Sequence, residues 1–208
     1  CYCGSLSDVL DRFYQAARAY AAEVVVRVTA DCPLIDPELV DLTVRAFLGQ
    51  VKPPAQRTSL GAVPPYDFAA NRLPPPWKRT FPIGLDTEVV SFAALERAWH
   101  EAALQHQREH VLPYLYDDIG VNFDQPSRFR VLVVDWEKDL GALRWTVDTP
   151  PDLEMVQRVF ACFGHNRFGW QEVLRLLEQH PELAEINALV QHKTAFDVDP
   201  RTLQEGKP

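Results

Sequence analysis

The chain is expected to fold as an α/β domain around a mainly parallel sheet. Three observations predict this. Strand-like and helix-like segments alternate along its 208 residues. The run Val24-Val25-Val26-Arg27-Val28 is almost continuously apolar, as suits a strand covered on both faces. Two strand-like segments end in acidic turns, at Asp31 and at Asp148, where ligands gather in an open α/β sheet.

Each element has a local cause. Ser5 reads as the start of a first helix, with Asp8 at the capping-box position. Leu6, Val9, Leu10, Phe13, Ala17 and Tyr20 form one apolar stripe along it. Residues 23–30 read as a central strand. Asp36 caps a second helix, Pro37 takes its first position and Gly49 marks its end, with Leu39, Val40, Val44 and Phe47 facing inward. Residues 51–82 carry Pro53-Pro54, Pro64-Pro65 and Pro74-Pro75-Pro76. They read as a connector, or as a flap over a substrate site, with one short strand at 66–71.

Residues 85–90 read as a strand and 91–104 as a helix with Leu95, Trp99 and Ala102 on one face. A helical segment runs through 109–116. Further strands are expected at 119–123, 129–134 and 143–147, the last in the same sheet as 23–30. Thr149, Pro150 and Asp152 announce a helix that Gly164 ends. Amphipathic helices follow at 170–179 and 181–191, and the polar tail from Asp197 reads as loose. Residues 1–164 therefore read as one α/β domain and 165–208 as a helical extension packed on it.

Composition narrows the function. Hydrophobic residues make up 47% of the chain, enough for one sizeable core. Charges interrupt every apolar run, so no membrane span is expected. No basic segment leads into an apolar stretch at the N-terminus, so a cytoplasmic protein is expected. The net charge of −8, from 21 basic and 29 acidic residues, argues against a nucleic-acid partner. A small anion is still admissible where a metal and local arginines offset that charge. Cys1, Cys3, Cys32 and Cys162 match no zinc or redox spacing and read as unpaired thiols.

The candidate chemistry is carboxylate chemistry. Taken singly, Asp31 and Asp148 each read first as a cap or turn residue. As a pair, each behind its own strand, they suit Mg²⁺, which takes oxygen ligands and shares them with substrate phosphates. Arg27 is a charge within an apolar strand and needs a partner, either a substrate anion or a neighbouring carboxylate. Asp86 and Glu88 share one strand face, with Gly84 beside them to admit a ligand; the alternative is a solvated face. His110 can polarise a substrate hydroxyl or be satisfied by a neighbour. Trp136, Trp145 and Trp170 read as core.

Five blocks in order then carry a resemblance. They are Gly4-Ser5 with Asp8-Val9-Leu10-Asp11-Arg12-Phe13, Arg27-Val28-Thr29-Ala30-Asp31-Cys32-Pro33-Leu34-Ile35-Asp36-Pro37, Pro82-Ile83-Gly84-Leu85-Asp86-Thr87-Glu88-Val89, Arg108-Glu109-His110-Val111-Leu112-Pro113-Tyr114 and Arg144-Trp145-Thr146-Val147-Asp148-Thr149-Pro150-Pro151-Asp152-Leu153-Glu154. Together they resemble the spore-coat polysaccharide cytidylyltransferases, relatives of the acylneuraminate and Kdo CMP-sugar synthetases. The resemblance runs from Gly4 to about Asn187.

The resemblance implies a Rossmann-like nucleotide-diphospho-sugar transferase fold. It implies transfer of CMP from CTP to an acidic or modified sugar, with release of pyrophosphate, for surface polysaccharide synthesis. It implies Mg²⁺ held by Asp31 and Asp148, substrate contacts from Arg27, Asp86, Glu88, Glu109, His110 and Arg144, and a possible homodimer. The sequence also departs from the family. The Ala-Arg-x-x-Ser-x-Arg-Leu-Pro-Gly-Lys type segment that grips the triphosphate is absent, Cys3 stands where Arg is commoner and Ala30 where Gly is commoner. The chain is thus expected to be N-terminally truncated and to bind CTP weakly by itself. The alternative is a non-catalytic remnant of the fold.

Overall fold

The computed structural model describes residues 1–191, so the polar tail from Asp197 lies outside the described residues. Helix α1 (Val9–Ala19) starts at Asp8 and not at Ser5. The Asp8 carboxylate accepts the Asp11 amide at 3.0 Å, while Ser5 is used in a turn, accepting the Ser7 amide. Leu10 and Ala17 of the apolar stripe are buried, and Leu6 and Tyr20 at its ends are exposed.

Five strands, β1 (Val24–Arg27), β2 (Ala55–Thr58), β3 (Phe68–Ala70), β4 (Glu88–Ser91) and β5 (Val131–Asp135), form one sheet in the order β1-β4-β3-β5-β2. The α/β class holds, but the sheet is mixed. Only β3 and β5 pair in parallel; β1–β4, β4–β3 and β5–β2 are antiparallel. Parallel neighbours need a crossover, usually a helix. The proline-rich connector between β3 and β4 has no helix. It turns at the edge of the sheet, so β4 runs back beside β3. Buried Asn71 staples this connector, donating to the Leu85 carbonyl at 2.6 Å and accepting the Thr87 amide at 2.8 Å.

Two further expectations are corrected. The valine run is an edge strand, not a central one: β1 pairs with β4 alone, and Val26 and Val28 are 40% and 47% exposed. Residues 143–147 are no strand of the sheet, since they make a single bridge, between Ile83 and Arg144. They are extended, but their backbone is partnered piecemeal, by Ile83 on one side and Asp31 on the other. Residues 119–123 form turns that bury Ile119 and Phe123 without a ladder. Strand β2 went unread because Ala55-Gln56-Arg57-Thr58 lacks apolar alternation; its pairing with β5 holds it.

The helices follow their caps. They are α2 (Pro37–Phe47), α3 (Phe92–Glu101), α4 (Gln105–Glu109), α5 (Pro150–Phe163), α6 (Trp170–Gln179) and α7 (Pro181–Glu185), with a 3₁₀ turn at Pro113–Leu115. The last helix is shorter than 181–191. Gly49 (φ +72°) and Gly164 (φ +69°) end α2 and α5 in the left-handed conformation that an L side chain resists.

One sheet face, with Phe68, Val90, Val131 and Val133, packs on α1 and α3 through Leu10, Leu95 and Ala98. The other, with Ala69, Val89, Leu132 and Val134, packs on α2, α5 and α6 through Leu39, Phe47, Val159 and Val173. Trp145 and Trp170 are buried there. Asp36, 3% exposed, caps two helices at once. One oxygen accepts the Glu38 amide at 2.7 Å and the other the Trp170 amide at 2.6 Å. At about 0.5–2 kcal/mol per cap, this one side chain ties the start of α6 to the start of α2.

Gly84 has a role other than ligand access. A Cβ there would lie 2.6 Å from the Trp145 carbonyl carbon and the Thr146 amide, and φ is +102°. The glycine admits the 145–146 backbone, not a substrate. Gly84→Ala is expected to cost about 1–3 kcal/mol in chemical denaturation. Unchanged stability would show that the contact is not close in solution.

Candidate functional site

The strand directions place one end of β1, β3 and β5 on a single edge. Arg27, Ala70 and Asp135 close these strands, and Glu88 and Ala55 open the antiparallel β4 and β2 beside them. The Arg27–Glu88 register pair stands on this carboxyl edge.

Asp31 lies four residues beyond Arg27, past the end of β1. Its carbonyl accepts the Val147 amide at 2.8 Å and the Thr146 hydroxyl at 3.1 Å. The two acidic motifs, more than a hundred residues apart in sequence, are clasped here through their backbones. Asp31 is exposed, and among the described residues its carboxylate takes only a long contact from the Cys32 thiol at 3.5 Å. Asp148 follows Val147 directly. One of its oxygens accepts Arg144 at 2.6 Å, and its side chain is 30% exposed.

Arg144 is itself buried. Its guanidinium also grips Asp152 through Nε at 2.8 Å and Nη2 at 2.9 Å. Asp152 is fully buried and accepts the amides of Asp148 and Thr149 and the Asn187 side chain. Burial pushes its carboxyl upward, but Arg144, Asn187 and Thr149 outweigh this and hold it far below the usual range. The motif read as substrate-binding is thus also a strut that orients Asp148.

On the α1 side of the sheet, Arg27 pairs with Glu88, its register partner, so the carboxylate alternative for Arg27 is realised. Asp86 is gripped by both terminal nitrogens of Arg79 at 2.8 Å and by Nε of Arg72 at 2.8 Å. Burial raises the Asp86 pKa, and the two guanidiniums more than reverse it, so the group stays ionised. Asp86 and Glu88 therefore hold arginines and do not stand open to solvent. Cys32 is buried beside Asp31 and its thiol is pushed up to about 11, mainly by burial, so no thiolate nucleophile is on offer at neutral pH.

Glu109 ends α4 and His110 is its C-cap, both half-buried. Behind them Val111 is fully buried at φ +76°, and the Leu112 amide donates to the His110 carbonyl. A β-branched residue in that conformation is strained. Arg108 grips Asp8 at 2.6 and 3.0 Å, so two of the five sequence blocks lock to each other as structure.

Asp31 and Asp148 supply two hard oxygen donors on touching segments. Among the described residues no three His, Cys, Asp or Glu side chains converge on one point. Such a set fits Mg²⁺, which completes its octahedron with water and substrate phosphates. It does not fit a structural zinc centre.

Sequence reasoning missed Arg72, Arg79, Asp152 and Asn187. The first two stand in the proline-rich loop, where no periodicity marks them. The one available signal was a pair of arginines seven apart and just before Asp86. Asp152 was read as a capping residue, which it is, and its grip on Arg144 leaves no local trace.

The comparisons with known proteins agree with one another. A model of the cytidylyltransferase family matches residues 1–131. MJ1063, an uncharacterised protein of Methanocaldococcus jannaschii, is 30% identical over 198 residues, 94% of this chain and 70% of that one. The spore coat polysaccharide biosynthesis protein SpsF of Bacillus subtilis is 28% identical over 185 residues, 87% of this chain and 65% of that one. A solved cytidylyltransferase from Leptospira borgpetersenii aligns with a TM-score of 0.72 and 28% identity, covering 91% of this chain and 69% of that one. The chain thus spans about two thirds of each of these proteins.

Proposed function

Because this chain belongs to the cytidylyltransferase family, we propose that it transfers CMP from CTP to a hydroxyl of an acidic or modified sugar used in surface polysaccharide synthesis. The observation that supports the reading is the clasp between the Asp31 carbonyl and residues 146–147, which joins the two segments that carry Asp31 and Asp148. Family membership supports the nucleotide, and the name of the Bacillus relative supports the polysaccharide.

In this reaction a sugar oxygen attacks the α-phosphorus and gives up its proton to solvent. The bond from that phosphorus to the bridging oxygen of the β-phosphate breaks, and pyrophosphate leaves. Asp31 and Asp148 would hold Mg²⁺, which supplies Lewis-acid relief of the phosphate charge when bound. The chain's own residues orient the reactants. Asp152 and Arg144 orient the Asp148 carboxylate, and the clasp holds the backbone that carries Asp31, which limits what is left to reorganise as charge develops. The arginines on Asp86 and Glu88 bring positive charge to an edge that Asp31 and Asp148 would otherwise make strongly negative.

No helix among the described residues is long and apolar enough to cross a membrane. We place the reaction in the cytoplasm, where CTP is made. The test is a pyrophosphate-release assay on the gene product carrying this chain, run across the four nucleoside triphosphates and a panel of sugar acids. CTP-selective, Mg²⁺-dependent release with one acceptor class is expected. Release with another nucleotide at higher kcat/KM overturns the cytidylyl reading.

A further inference from the structure

The charge pairs on the α1 side of the crevice are unequal, and the inequality is informative. Asp86 is shared by two arginines. Arg79 is used up: both terminal nitrogens sit on Asp86 and one also reaches the Pro82 carbonyl at 3.2 Å. Arg72 is not. Only its Nε is engaged, on Asp86 at 2.8 Å, and among the described residues its two terminal nitrogens make no hydrogen bond. A quarter of its side chain is exposed. Arg27 beyond Glu88 is similar, with one terminal nitrogen on the carboxylate and 19% of its side chain exposed.

A guanidinium held by Nε is a fork anchored at its stem. Its two terminal nitrogens stay parallel and coplanar, the geometry that takes two oxygens of a carboxylate or phosphate together. The anchor matters because a free arginine loses rotamer freedom on binding, and this one has already lost it. Three arginines here face two carboxylates, so one positive charge is uncompensated within the group. Tyr116, buried against Phe68 and Trp77, lies within electrostatic reach of Arg72, Arg27 and Glu88.

We propose that Arg72 is an oxyanion-binding residue of this crevice, presenting its open fork to a carboxylate or phosphate of a substrate while Asp86, itself fixed by Arg79, holds its stem. The proposal rests on the reading of the crevice as a nucleotidyl-transfer site and adds a residue to it. Two sources supply that chemistry, the acid group of the sugar and the phosphates of the nucleotide.

The experiment titrates the gene product carrying this chain and its Arg72→Met variant with four probes: CTP with Mg²⁺, inorganic triphosphate with Mg²⁺, uncharged cytidine, and the sugar acid Kdo. Binding is followed by calorimetry and, for millimolar affinities, by amide chemical shifts. Arg72→Met is expected to raise the Kd of triphosphate or of Kdo at least tenfold and leave cytidine within twofold. Loss confined to triphosphate and CTP assigns the fork to the nucleotide, and loss confined to Kdo assigns it to the sugar. Arg72→Lys should recover only part of the loss, because an ammonium cannot bind in fork geometry.

The proposal is overturned if Arg72→Met binds both anions within twofold of wild type, or if wild type binds neither at 20 mM. It is also overturned if cytidine weakens as much as the anions do. The two readings fail separately. Arg72-dependent anion binding with no preference for CTP over inorganic triphosphate keeps the fork and removes the cytidylyl assignment. CTP preference that ignores Arg72 does the reverse.

Discussion

Asp31→Asn and Asp148→Asn, made singly in the gene product carrying this chain, are each expected to lower kcat about 10²–10³-fold. The amide keeps the shape of the carboxylate and removes its charge, so the loss falls on the charge-dependent step. Stability should barely move, because neither carboxylate is buried. Asp31 is exposed, Asp148 is 30% exposed, and Arg144 keeps Asp152 when Asp148 is neutralised. A melting-temperature change of no more than about 2 °C is expected for either variant. The Mg²⁺ concentration for half-maximal rate should rise in both, since each removes one of two hard donors. Wild-type turnover in both variants would refute the metal assignment. A rate loss that tracks the loss of folded protein would reduce the pair to scaffold.

The fold was legible where local chemistry decides it. Asp36 before Pro37, and Thr149 before Pro150, gave the starts of α2 and α5, and both helices begin there. Capping is a contact between near neighbours, so a sequence displays it directly. Strand direction and order are settled elsewhere. A valine run states that a strand is apolar, but not how many neighbours it has, and β1 proved to be at the edge. The direction of β4 was set by a connector with no crossover helix and by Asn71 at its stem, neither of which has a period.

The candidate site was legible by residue and not by circuit. Asp31 and Asp148 were read as a pair from their strand-end positions, and the clasp joins their segments. Yet residues 143–147 reach the edge through single backbone bonds to Ile83 and Asp31, not as a strand of the ladder. Asp86 and Glu88 were read as open to a ligand. They are instead bound to Arg72, Arg79 and Arg27, because carboxylates this buried need cations within reach. Those partners lie across loops and strands, so no spacing rule points to them.

Removal of the Asp152 carboxylate is expected to be strongly destabilising. Asp152 is fully buried, and its partner Arg144 has a side chain only 6% exposed. Deleting one member of a buried pair leaves the other charge poorly compensated, at a cost of about 3–5 kcal/mol. Asp148, bonded to Arg144 at 2.6 Å, offsets part of this, and the loss of the Asn187 contact and of the α5 cap adds to it. Asp152→Ala should therefore lower the urea midpoint sharply at pH 7. The pH dependence has a definite sign. The folded carboxyl is held below its unfolded value, so the stabilisation is complete above the unfolded value of about 4. It is lost as pH falls below that toward the folded pKa. The wild-type chain should lose stability as pH drops from about 5 to 2, and Asp152→Asn should show a shallower slope over the same window. The double variant Arg144→Met/Asp152→Leu should recover at pH 7 the part of the loss due to the uncompensated charge, because an apolar pair leaves no buried charge, but not the Asn187 contact or the α5 cap. It should stay slow in turnover, because nothing then orients Asp148. Full activity in the double variant would show that Arg144 is structural alone; wild-type stability in Asp152→Ala would show that the pair is solvated and not the strut described here.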